Sequence, residues 1–200
     1  FNPPTPAATN AAPVVYLSHL LINEVQKANT STVADNFGQF DPWIEIYNAE
    51  SDTVELAGWK ITHDLLPMQQ FIIPSGNSST RIAPGGHLLL WADQQTGQGA
   101  LHLNFILPGS GCLNLLKPDE SVSDQLCYLS SGINHSIGRR TDGDSILVDF
   151  PVPTPGAMNW MSTSASILIN EIQTQNFSTA QDNYGQYDPW IELFNPTNDS

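Results

Sequence analysis

The chain has 200 residues, with 20 acidic against 6 basic side chains and a formal charge of −14. That balance excludes nucleic acid as a partner, because phosphate binding rests on Lys and Arg, and it equally excludes an anionic membrane surface. Apolar residues make up 40%, enough for a core, yet no apolar run approaches the roughly eighteen residues needed to span a bilayer.

Only 13% of residues are charged, about half the usual share. Asn, Gln, Ser and Thr take their place, a surface suited to a secreted, extracellular protein. The sequence opens on Phe1, and no basic segment followed by an apolar one comes after it. That is expected of a mature chain or of a piece cut from a longer one. FNPPTPAATNAAP (1–13) has no periodicity and reads as an extended arm.

From Pro13 onward short apolar runs alternate with Gly, Pro, Asn and Asp. They include VVYLSHLLINEV, WIEIYN, GWKIT, FIIP, HLLLWAD, LHLNFIL, CLNLL, VSDQLCYL and SILVDF. None sustains a helical period, and several are rich in β-branched or aromatic residues. Many short strands separated by turn signals predict an all-β sandwich or barrel. Pro84-Gly85-Gly86 marks a turn before a buried strand.

A repeat organises the chain. LINEVQKANTSTVADNFGQFDPWIEIYN (21–48) returns without a gap as LINEIQTQNFSTAQDNYGQYDPWIELFN (168–195), with Ile22 matching Ile169 at a spacing of 147 residues. A period of this length is a whole domain rather than a solenoid unit. The expected organisation is an arm (1–13), one complete domain (14–157), a linker (158–166) and the opening strands of a second domain (167–200). PVPTPGAMN (151–159) suits the end of the first domain, since its prolines cannot continue a central ladder.

The ordered series LINEVQ, DNFGQFDPWIEIYN, LAGWKIT, IAPGGHLLLWAD, LHLNFIL and PTPGAMN resembles the lamin-tail domain found in bacterial secreted proteins. The match runs from about Leu20 to Asn159, and the second copy matches only the opening of the pattern. The resemblance implies an immunoglobulin-like β-sandwich without catalytic residues, carried in multidomain surface or secreted proteins. Some such proteins also hold nuclease, phosphodiesterase or spore-coat-type kinase domains. The chain departs from nuclear lamins in lacking a heptad rod and a basic patch, which speaks against a DNA-linked role.

Cys112 and Cys127 flank LNLLKPDESVSDQL. A two-residue turn at Asp119-Glu120 sets Leu113 opposite Leu126 and Cys112 opposite Cys127, the arrangement of a cross-strand disulfide. The alternative is a pair of buried thiols. A disulfide belongs to an oxidising compartment outside the cytosol.

The repeated loop offers oxygen ligands around a Gly turn. Asp35, Asn36 and Asp41, with Glu24 and Glu45 from flanking strands, form a candidate Ca²⁺ set. Their repeat counterparts are Asp182, Asn183, Asp188, Glu171 and Glu192. The competing reading is structural: Asp and Asn cap turns, and Gly38 supplies a positive φ. No cofactor is required on either reading. Asp41 and Glu45 as a catalytic acid pair would lie about 13 Å apart along a strand, wider than glycosidase geometry allows.

The five histidines (His19, His63, His87, His102, His135) show no zinc spacing. Each is expected at the surface or at an edge. N-x-S/T sequons at Asn29, Asn77, Asn134, Asn176 and Asn198 are glycan acceptors in a eukaryotic secreted chain, or chance in so Asn- and Ser-rich a sequence.

The segment 167–200 cannot bury its own strands. Ile167, Ile169, Ile172, Trp190, Ile191 and Leu193, with the arm, are therefore candidate assembly residues. The partner is expected to be another copy, joined head to tail into a filament, or further domains of a longer chain. The functional expectation is a non-catalytic extracellular structural or adhesive building block. The alternative is a binding or targeting module of a larger secreted enzyme, with glycan as its ligand.

Overall fold

A computed structural model describes residues 20–63, 70–160 and 168–194. The arm 1–13, Ile167 and most of the expected linker lie outside these residues. The chain divides into two compact units, Phe1–Trp160 and Met161–Ser200.

The first unit is an antiparallel sandwich. One sheet is built from β1 (Leu20–Gln26), β2 (Trp43–Asn48), β7 (His87–Trp91), β10 (Ser136–Arg139) and β11 (Leu147–Phe150), in the order β11-β10-β1-β2-β7. The opposing sheet runs β5-β4-β8-β9, from β4 (Lys60–Thr62), β5 (Gln70–Ile72), β8 (Gly111–Leu116) and β9 (Val122–Tyr128). A small ladder joins β3 (Val54–Glu55) to β6 (Arg81–Ile82). The expected all-β, immunoglobulin-like class is the one observed.

The core lies between the two sheets, as period-2 alternation requires. Ile22, Val25, Ile44, Ile46 and Leu90 from one sheet meet Ile61, Leu113, Leu115 and Leu126 from the other. All are essentially buried. Fully burying side chains of this kind contributes about 1.5–3 kcal/mol each before the entropy of ordering them is counted.

β1 is the central strand of its sheet, and every residue in it is buried. A bulge between Ile22 and Glu24 interrupts its ladder with β2. The backbone groups freed there are met from elsewhere. Ile22 N–H donates to Asp124 Oδ2 at 2.7 Å, and Arg139 Nε donates to the Ile22 carbonyl at 2.9 Å. Arg139 also grips both Asp124 carboxylate oxygens, at 3.0 and 2.8 Å. One ion pair thus stitches β9, β10 and the bulge together.

The β8–β9 hairpin pairs Cys112 with Cys127 and Leu113 with Leu126. The cysteines form a disulfide. It sits on the outer face of the sheet, while Leu113 and Leu126 face the core. The turn differs from the two-residue expectation. Lys117 and Ser121 close a three-residue loop, in which Glu120 takes a left-handed φ of 71°. A register shift beside Leu116 then restores the pairing further along. A type I turn with a following αL residue and a bulge delivers the same distal register as a tighter turn.

Among the described residues, the second unit contains one hairpin, β12 (Leu168–Gln173) with β13 (Trp190–Phe194). It carries the same bulge, between Ile169 and Glu171, as the first hairpin does between Ile22 and Glu24.

Candidate functional site

Two polar clusters stand out in the first unit. The first grows from the repeated loop. Asp35 Oδ1 accepts the backbone N–H groups of Phe37 and Gln39, both at 2.8 Å. Gly38 turns the chain at φ 81°. This is a self-capping Asx turn, as the structural reading expects. The same bonds recur in the second unit, from Asp182 Oδ1 to Tyr184 and Gln186 at 2.8 Å, with Gly185 at φ 78°. Asn29 closes the first loop through Val33 O and Asp41 O, and Asn176 closes the second through Ala180 O and Asp188 O. Both Asn side chains are buried. An acceptor amide sealed this way is not available to a glycan in the folded chain, so these two sequons are structural.

Around the first loop two further residues gather. The β2–β7 ladder ends at the Trp43–Trp91 pair, and Asp41 and Asp93 follow two residues beyond it on either chain segment. Ala92 N–H donates to Pro42 O at 2.8 Å on that line. The segment 101–103 then runs beside Trp91, with a parallel bridge between Trp91 and His102. His102 Nδ1 lies 2.5 Å from Asp93 Oδ2, and its Nε2 lies 3.3 Å from Asn36 Oδ1. Ligand atoms of Asp35, Asp93 and His102 all fall within 4.8 Å of one another.

This is a crowded acidic corner. Burial, then the neighbouring Asp93 and Asp35 carboxylates, push the Asp41 carboxyl above its ordinary range, and His102 pulls it back. A cleft of about 520 Å³ opens beside the corner, lined by Asp35, Asn36, His102, Gln98, Asn77 and Trp91 among others.

The second cluster holds the remaining members of the expected Ca²⁺ set. Glu24 and Glu45 face each other across the β1–β2 ladder, but the structure does not bring them to the loop. They receive a strap formed by residues 154–159. Glu24 accepts from Thr154 N at 3.1 Å, from Thr154 Oγ1 at 2.8 Å and from the Ser136 hydroxyl. Glu45 accepts from Asn23 Nδ2 at 3.0 Å and from Gly156 N at 2.7 Å. Asn159 finishes the strap by donating to Arg139 O at 2.6 Å, to Asn23 O at 3.2 Å and, through its N–H, to Asp142 Oδ1 at 2.8 Å.

Burial is the main cause that pushes Glu45 up to about 8, with Glu24 and Asp142 adding like charge. Glu24 is raised too, again chiefly by burial. Every donor in this cluster already belongs to the protein. These bonds make the pair a clasp for the end of the domain. The clasp carries the first unit past the expected boundary at 157: Asn159 is 1% exposed, and Trp160 bridges Thr141.

A model of the lamin tail domain family matches residues 16–130. The chain belongs to the lamin tail domain family. No curated protein matches it. The lamin tail domain is a non-catalytic, immunoglobulin-like β-sandwich module, and the sandwich described above is of that kind. The folded lamin tail domain continues past the matched span, through β10, β11 and the strap.

Sequence reasoning missed Asp93 and His102. Each histidine is expected at the surface or an edge: His87 does lie on the edge strand β7, half-buried with Nε2 3.0 Å from Asp142 Oδ2, whereas His102 is buried against Asp93. A signal for Asp93 lay in its place two residues past HLLLW, as Asp41 stands two residues before WIEIY, just beyond the end of the ladder. His102 is delivered by a short parallel bridge that carries no pattern of its own.

Proposed function

We propose that this chain is a non-catalytic extracellular structural or adhesive protein, a β-sandwich building block of a surface fibre or multidomain surface protein. The observation that carries the reading is the second hairpin. It keeps the register of the first, yet Ile169, Ile172, Ile191 and Leu193 are each more than half exposed. Their counterparts Ile22, Val25, Ile44 and Ile46 are buried. An apolar hairpin of this kind is stable only when other strands cover it. The cover is strands of another copy or of further domains. The Cys112–Cys127 disulfide and the Lys-poor surface support a location outside the cytosol.

The cleft favours a second reading, a glycan-binding or targeting module of a larger secreted enzyme. Its Asn36, Asn77 and Gln98 amides beside Trp91 suit a polyhydroxylated ligand.

Light scattering and electron microscopy of the 200-residue chain, beside a chain ending at residue 160, separate the readings. The building-block reading expects concentration-dependent association of the longer chain and a monomer for the shorter. A longer chain that stays monodisperse at high concentration, while the shorter one binds polysaccharide, supports the module instead.

A further inference from the structure

The acidic corner of the first unit has a charge imbalance that protein groups alone do not settle. Ligand atoms of Asp35, Asp93 and His102 lie within 4.8 Å of one another, and Asp41 stands close enough for both other carboxylates to raise its own. The Asp93 side chain is fully buried and that of His102 is 2% exposed. The Asp93 and Asp35 carboxylates both raise the Asp41 carboxyl, as like charges held close do.

Hydrogen bonding accounts for only part of the oxygens. Asp35 Oδ1 is spent on the turn, and Asp93 Oδ1 accepts the Gln95 N–H at 2.8 Å. Asp35 is 8% exposed, and its Oδ2 is buried without a donor. Asp41 Oδ2 is likewise buried without a donor. A buried carboxylate oxygen with no donor pays the full cost of leaving water. The turn explains Oδ1 of Asp35 and leaves Oδ2 unexplained.

We propose that Asp35, Asp41, Asp93 and His102 form a binding site for one divalent transition-metal ion, of the Mn²⁺ or Zn²⁺ class. A doubly charged ion offsets the carboxylate excess and coordinates the two orphaned oxygens. The imidazole decides the class. Ca²⁺ takes oxygen ligands, whereas a mixed carboxylate and imidazole set suits Mn²⁺ or Zn²⁺. Asp93 fills the place of the carboxylate that orients a metal-binding histidine or joins the ion beside it.

The second loop supplies an internal control. Asp182 and Asp188 match Asp35 and Asp41 and line a pocket of their own. Among the described residues, that unit contributes no histidine and no partner equivalent to Asp93. One ion per chain is therefore expected.

The test is calorimetric titration of the chelator-treated 200-residue chain with MnCl₂, ZnCl₂ and CaCl₂ in turn, with thermal melts alongside. The expected result is one Mn²⁺ or Zn²⁺ per chain, weaker Ca²⁺ binding and a higher Tm with the bound metal. Asp35→Asn is the informative variant. It keeps the Oδ1 acceptor on which the turn depends and replaces only the orphaned oxygen. It is expected to weaken binding by about tenfold or more, with its metal-free melt unchanged or raised. His102→Gln is expected to abolish the preference over Ca²⁺. The proposal is overturned by no heat of binding at millimolar metal. Two equal sites per chain, tighter Ca²⁺ than Mn²⁺ or Zn²⁺, or Asp35→Asn binding like the parent overturn it equally.

Discussion

The hairpins β1–β2 and β12–β13 share most of their sequence, and they share their bulge, their loop bonds and their left-handed glycine. They differ in everything that depends on the rest of a domain. In the first, Trp43 Nε1 donates to Gln26 Oε1 at 2.7 Å. In the second, the matching Trp190 Nε1 and Gln173 Oε1 are both buried and both without a partner. Loop closure and register are therefore local properties of some thirty residues. The Trp–Gln bond and the burial of the isoleucines come only when opposing strands press the hairpin into place. Local sequence writes the shape of the element, and tertiary context supplies its stability.

The comparison breaks most completely if the first hairpin is deprived of its cover. A chain ending at residue 130, where the family match ends, lacks β10, β11 and the strap. Calorimetry is expected to show no cooperative unfolding for it, and a single transition for a chain ending at residue 160. A cooperative melt of the shorter chain would refute the role given to the clasp.

Next in size is a matched pair of substitutions. Ile44→Ala empties a fully buried position and is expected to cost about 2–5 kcal/mol by denaturant titration. Ile191→Ala, at its 61% exposed counterpart, is expected to stay within about 0.5 kcal/mol in a non-associated chain. Equal costs would mean that the second hairpin is covered after all.

Reduction of the disulfide touches only the first unit. The bridge spans a sequence separation of 15, for which the loop-entropy account gives about 3 kcal/mol. Melts with and without reductant measure it, and the expected outcome is a lower Tm with cooperativity retained.

The smallest effect is a slope with pH. Glu45 titrates near 8 in the folded chain against an ordinary 4.5. Between those values the folded state holds a proton that the unfolded chain has released. The contribution of Glu45 to stability is therefore greatest below about pH 4.5 and falls as pH rises to about 8. Glu24 acts in the same direction. Calorimetry from pH 5 to 9 is expected to show this decline on top of the other titrating groups. Glu45→Gln is expected to flatten the slope while weakening the bond from Gly156.

Much of this was legible in the sequence, for identifiable reasons. The sandwich class followed from short alternating runs, and the Cys112–Cys127 pairing from the distance of each cysteine to one turn. The Asx turn followed from Asp35 and Gly38 standing where such turns need them. Less visible were the parts made by long-range register. Glu24 and Glu45 looked like neighbours of the Asp35 loop because they are near it in sequence, but the ladder hands them to residues 154–159. That strap carries no periodicity, only prolines and a buried Asn159. β10 is absent from the apolar runs because Ile137 is its single aliphatic residue, beside Gly138. The structure needs a glycine there: a Cβ would come within 2.9 Å of Glu24 Cγ and 3.0 Å of Asn23 O.

The pairing of β1 with β10 also sets a schedule. Glu24 cannot meet Gly138 until nearly the whole domain has left the ribosome. Chains with such distant pairings fold late and spend longer with apolar strands unprotected. Until then the first hairpin lacks part of its cover, and an isolated hairpin is marginally stable at best. The last to reach it is the Thr154–Asn159 strap, whose bonds to Glu24 and Glu45 join the end of the domain to its central strands.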